Sequence, residues 1–139
     1  MIKHAAALLL LTCTAALGCG PSGDGGSPDG GGGAAASCAP IADTTPTVCS
    51  MNAAARNVVF KNGCKDAVEI WWVTASCSET FYRRLAAGEM YTQPSFVTHP
   101  WRARTVPAGG APMGTVKGML IKEFGPIPDG AGDLTFTVP

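Results

Sequence analysis

The chain has 139 residues, with 10 basic and 10 acidic side chains and a formal net charge of zero. That balance leaves no electrostatic footprint for nucleic acid or for an acidic polymer as partner. Of two histidines and six cysteines, only His99 and Cys38, Cys49, Cys64 and Cys77 lie beyond residue 19, so a zinc site there would need nearly all the thiols and disulfides are expected instead of a metal; nothing in the composition asks for a cofactor.

Residues 1–18 read as an address. Lys3 and His4 precede an apolar run over 5–17 that is too short to span a bilayer and ends in small residues, as an export signal does. Ala16-Leu17-Gly18-Cys19 resembles a bacterial lipoprotein box, with its leucine at 17 rather than 16. The expectation is lipid attachment at Cys19, which anchors the protein at the cell envelope without a spanning helix; plain secretion is the alternative. Apart from Cys19, residues 19–36 are Gly, Ser, Pro, Asp and Ala. With no aromatic or β-branched side chain they cannot bury enough surface to offset their ordering entropy, and they read as a random-coil tether. Residues 37–55, with Cys38, Cys49 and Pro46, read as an irregular arm fastened by disulfides, and 56–139 as one small domain with a modest core.

The domain reads as β throughout. A strand over 57–62 ends in the turn Asn62-Gly63, and a second covers 68–74, its alternation placing Val68, Ile70 and Trp72 on one face and Glu69 and Trp71 on the other. Trp72 is then core, with no ligand role, and Trp71 points outward or lies under a loop. Further strands are expected over 80–85, 89–93, 96–105, 116–124 and 134–138, separated by Gly and Pro turns. Pro94 and Pro100 cannot donate to a ladder, so their stretch is an edge or carries a bulge. Seven short strands without an amphipathic helix indicate an all-β sandwich.

Cysteine geometry bears on the pairing. If the first two strands form a hairpin, Cys64 sits in its turn and Cys77 past its far end, more than about 20 Å away at about 3.3 Å per residue. A disulfide needs Cα atoms within about 7 Å. This favours Cys49–Cys77 with Cys38–Cys64, while an irregular arm leaves Cys38–Cys49 open.

The run Gln93-Pro94-Ser95-Phe96-Val97-Thr98-His99-Pro100-Trp101 carries the candidate site. Read as a strand, it puts Ser95, His99 and Trp101 on one side: a hydroxyl, an imidazole and an indole suited to a small polar ligand with an apolar body. The bland alternatives are a half-buried His99 bonded to a carbonyl, a core Trp101, a cross-strand aromatic Tyr82 and a turn-capping Ser95; Arg83, Arg84, Arg102 and Arg104 could rim an acidic ligand, but a solvated strand face is the expected reading. Arg104 bracing the pocket through a side-chain hydrogen bond is a further option. No nucleophile-elbow pattern surrounds Ser95, and no orienting carboxylate lies near it in sequence.

The segment 57–101 resembles the β-domain of the von Hippel-Lindau tumour suppressor family. The matching pieces are Val58-Val59-Phe60-x-Asn62, Trp72-Val73, Tyr82-x-x-Leu85-x-x-Gly88 and Ser95-x-x-x-His99-x-Trp101-x-x-Arg104, with a looser match through Pro128-Asp129-Gly130 to the last strand. The resemblance implies a seven-stranded sandwich that binds a peptide through a hydroxylated proline, with Tyr82, Ser95, His99 and Trp101 lining the pocket. Serine and histidine would bond the ligand hydroxyl, tyrosine would contact its ring and backbone, and the indole would form the floor. Phe96 stands where the family commonly has tyrosine. The family's α-helical domain is not read in this chain, so ubiquitin-ligase partners are not expected.

The functional expectation is therefore a non-catalytic module for a peptide or protein segment. A ligand-free structural sandwich is the alternative, and a small hydrolase a weaker one. A recessed polar site lined by the four residues favours binding. A fully buried Trp101 with His99 bonded only to backbone favours the structural alternative, and a carboxylate touching His99 favours the hydrolase.

Overall fold

The computed structural model describes residues 37–139, so the expected signal segment, Cys19 and the Gly-rich tether lie outside the described residues. Seven strands follow in chain order: β1 (Ala55–Asn62), β2 (Val68–Val73), β3 (Glu79–Leu85), β4 (Met90–Phe96), β5 (Trp101–Thr105), β6 (Leu120–Phe124) and β7 (Leu134–Val138). They form a three-stranded sheet ordered β4-β1-β7 and a four-stranded sheet ordered β3-β2-β5-β6, with no helix among the described residues. This is the all-β sandwich that the alternating, turn-rich pattern predicts.

β1 sets the core. It runs antiparallel to β4 and parallel to β7, and its alternation turns Val58, Phe60 and Asn62 inward. The Phe60 ring meets Trp101 and Phe124 edge-on at centroid distances of 5.2 and 6.0 Å, which joins the two sheets, and Phe136 of its own sheet at 5.8 Å. At the end of β1 the buried Asn62 amide nitrogen lies within bonding distance of the carbonyls of Asp66, Leu85 and Ala86 (2.9, 3.3 and 2.9 Å), and its oxygen accepts from the Cys64 N–H at 2.9 Å. One side chain thus ties the β1–β2 turn to the end of β3. Gly63 follows because a Cβ there would stand 2.8 Å from the Val138 carbonyl oxygen.

Two strand expectations are corrected. The run over 96–105 is not one strand: β4 ends at Phe96 in one sheet, Val97 and Thr98 turn, and β5 starts at Trp101 in the other. Thr98 takes a left-handed φ of 72° and Pro100 has no N–H for a ladder, so the extended run breaks. Pro94 does lie on an edge strand, opposite Asn57. The sixth strand begins at Leu120 rather than 116. Before it the chain crosses Thr105 so closely that a Cβ on Gly118 would stand 1.8 Å from the Thr105 carbonyl oxygen.

The outer face of the four-stranded sheet is covered, not solvated. Arg102 and Arg104 are each 1% exposed, which overturns the solvated-face reading of these two arginines. The cover is the arm. Its Ile41 N–H donates to the Leu120 carbonyl at 2.7 Å, and Asp43 and Thr44 accept from Arg104 and Arg102. Disulfides Cys38–Cys64 and Cys49–Cys77, with Cα atoms 5.5 and 4.8 Å apart, fasten the arm to the sandwich in the expected pairing, but the hairpin premise is corrected: β1 and β2 lie in different sheets and do not pair.

Candidate functional site

The four predicted residues meet in one chain of contacts. Tyr82 on β3 is 43% exposed, and its ring stands edge-on to Trp101 at 4.9 Å. The Trp101 indole N–H donates to the Ser95 hydroxyl at 3.2 Å, and that hydroxyl lies 3.5 Å from Nδ1 of His99. Ser95 points inward from β4. His99 reaches it through the Val97–Thr98 turn, whose His99 N–H donates back to the Phe96 carbonyl at 3.1 Å. The convergence is therefore real but does not come from strand alternation. A left-handed β-branched residue such as Thr98 is strained, and the strain sits beside the imidazole.

The cluster is unevenly open. Trp101 is 1% and Ser95 4% exposed, so the indole supports the hydroxyl from beneath rather than forming a solvent-facing wall. His99 links this cluster to a cavity of about 550 Å3. Trp72 and Phe96 form aromatic walls, each with its ring centroid 5.1 Å from that of His99, and Ser50, Met51 and Asn52 of the arm close another side. Among the described residues no charged side chain lines it.

Trp72 and the arm are what the sequence reasoning missed. The alternation of β2 does turn Trp72 to the core side, opposite Trp101 in the β2–β5 ladder. Because that position is at the end of β2, the ring extends past the core and stays half-buried. The indole N–H of Trp72 donates to the Ser50 hydroxyl at 2.6 Å, and Ser50 in turn donates to the Val73 carbonyl, so the arm orients the tryptophan. The arm has no periodicity to reveal this. Trp71, by contrast, is buried on the outer face beside Phe81, at 5.6 Å.

Burial holds the His99 imidazole below its usual pKa of 6.5, opposed by a hydrogen bond to the Met51 backbone. At neutral pH the ring is uncharged and offers one donor and one acceptor. Besides that backbone bond, His99 approaches only the Ser95 hydroxyl; among the described residues no carboxylate is hydrogen-bonded to it. Of the four predicted residues, His99 is the one that lines the cavity, where its uncharged ring stands between the aromatic walls of Trp72 and Phe96; Tyr82, Ser95 and Trp101 do not line it.

No model of a known protein family matches the chain, and no curated protein matches it. The two disulfides fit a chain that matures in an oxidising compartment. No helix among the described residues is long and apolar enough to cross a membrane.

Proposed function

We propose that the protein is a non-catalytic peptide-binding module of the von Hippel-Lindau β-domain type. A lipid on Cys19 holds it at the cell envelope, and it takes a proline-containing segment, preferring a hydroxylated proline. The observation that carries this reading is the Ser95 hydroxyl, set between the Trp101 indole donor and the His99 ring, with His99 itself lining an uncharged aromatic cavity. A hydroxyproline hydroxyl would bond to Ser95 and His99 while its ring rests on an aromatic face. A plain proline would desolvate both polar groups without pairing them, at about 1–3 kcal/mol, or roughly 5- to 150-fold in affinity.

The test is calorimetry with paired peptides that differ only in proline or 4-hydroxyproline. The hydroxylated peptide should bind more tightly, and Ser95→Ala or His99→Ala should abolish the preference. Equal binding, or none, removes the hydroxyproline reading. One observation favours a ligand-free scaffold instead: Trp101 is 1% exposed, as a core residue is. That alternative predicts no saturable binding of either peptide and loss of stability alone in the variants.

A further inference from the structure

A second cavity lies on the outer face of the β3-β2-β5-β6 sheet and shares no lining residue with the one beside His99. It is an open depression of about 440 Å3 bordered by the arm. Its floor is cationic. Arg102 and Arg104 alternate with Trp101 and Ala103 along β5, so both guanidinium groups leave the core side and meet on the outer face. Burying two guanidinium groups is costly unless both are paired. Glu79, whose side chain is 3% exposed, accepts from Arg102 at 2.9 Å and from Arg104 at 2.6 and 2.7 Å, but one carboxylate cannot neutralise both. Glu123 supplies the second charge for Arg102.

The second charge for Arg104 is different in kind. Asp43 fills the guanidinium fork with both oxygens, at 2.7 and 2.9 Å, and lies 3.5 Å from Arg102, yet its side chain is 55% exposed and sits on the strandless arm. Lys117 is 51% exposed, and its nearest carboxylate is Glu79 at 3.8 Å, already shared by both arginines. If Asp43 swings out, two cationic positions lack a partner of their own: the fork of Arg104 and the ammonium of Lys117. Both reach the same Glu79 oxygen, at 2.7 and 3.8 Å, so they are close neighbours. Hydroxyls of Thr45 and Ser78 also line the space and can donate to an anion, whereas that of Thr44 already donates to Glu123.

We propose that this cavity binds a short dicarboxylate, one carboxylate replacing Asp43 in the fork of Arg104 and the other meeting Lys117. Asp43 is then an internal stand-in for the ligand. A monocarboxylate would compete poorly, because a tethered group acts at an effective concentration of about millimolar or more. The second carboxylate supplies a contact that Asp43 does not make. Among the described residues no aromatic side chain lines the cavity, so they offer no stacking platform for a sugar.

Titration calorimetry with succinate at fixed ionic strength tests this on wild type, Asp43→Ala and Lys117→Ala, with succinamide as the uncharged control. Both substituted side chains are more than half exposed, and circular dichroism checks that each variant is folded. The expected result is saturable succinate binding to wild type, about 10-fold tighter in Asp43→Ala and about 10-fold weaker in Lys117→Ala, with no heat from succinamide. An Asp43→Ala variant no tighter than wild type, a Lys117→Ala variant with unchanged affinity, or binding to Asp43→Ala without any to wild type overturns the proposal. So does the absence of saturable heat in all three.

Discussion

Replacing Cys49 and Cys77 with serine probes how the arm builds the His99 cavity. The bond closes a loop with a sequence separation of 28 residues. Losing that constraint on the unfolded chain costs about 3.6 kcal/mol at 25 °C on the chain-entropy model. Small domains are stable by about 5–15 kcal/mol, so the variant should remain folded with a much reduced margin. In urea, at about 1–3 kcal/mol per molar, the unfolding midpoint should fall by about 1–4 M. The Cys38→Ser/Cys64→Ser variant, with a separation of 26 residues, should lose a similar amount. The two variants differ locally. Only Cys49–Cys77 adjoins the cavity wall, since Cys49 precedes Ser50 and Cys77 follows Ala75 by two residues. Hydrogen exchange over 50–54 should therefore rise in the first variant and not in the second. A stability loss under about 1 kcal/mol, or equal exchange over that stretch in both variants, refutes the reasoning.

Other outcomes follow from the same coordinates. Glu79→Gln leaves two buried guanidinium groups short of charge and should cost about 3–5 kcal/mol in urea unfolding. Ser95→Ala removes the acceptor of the buried Trp101 indole and should cost about 1–3 kcal/mol in the same assay. His99 has a folded pKa below the usual 6.5, so above that pH both states hold it neutral and it contributes no pH dependence. As pH falls below 6.5 the unfolded chain takes up the proton first, and stability should decline until the folded pKa is passed. The lowered carboxyls of Asp43, Glu79 and Glu89 lose their contribution only in the more acidic range, as pH falls through their own folded values. Thermal unfolding between pH 7 and 5.5 should thus flatten in His99→Gln, and an unchanged slope contradicts the assigned shift.

Much of the fold was legible because alternation and turns leave local marks. Val58, Phe60 and Asn62 before Gly63 announce a strand and its turn, and of the two prolines Pro94 marks an edge strand while Pro100 marks the break before the interior strand β5. The meeting of Ser95, His99 and Trp101 was legible too, but its route was not. Strand alternation and a turn after Phe96 both bring positions 95 and 99 to one side, and the left-handed Thr98 that decides between them has no sequence mark of its own. The burial of Arg102 and Arg104 was hidden for another reason. Charges on alternate strand positions look solvated until a covering segment is known, and the arm that covers them is aperiodic and docks through Asp43, Thr44 and backbone bonds. Trp72 read as core because its face was correct; its position at the end of β2 is what leaves it half-buried beside the cavity.

The most direct measurement of the central claim is a nuclear magnetic resonance titration that follows the Trp101 indole N–H and the His99 ring signals. The hydroxyproline peptide should shift both, and its proline counterpart at equal concentration should do so with an affinity weaker by at least about 5-fold. Shifts confined to other parts of the sandwich, or identical responses to the two peptides, would contradict a hydroxyl-reading site at Ser95 and His99.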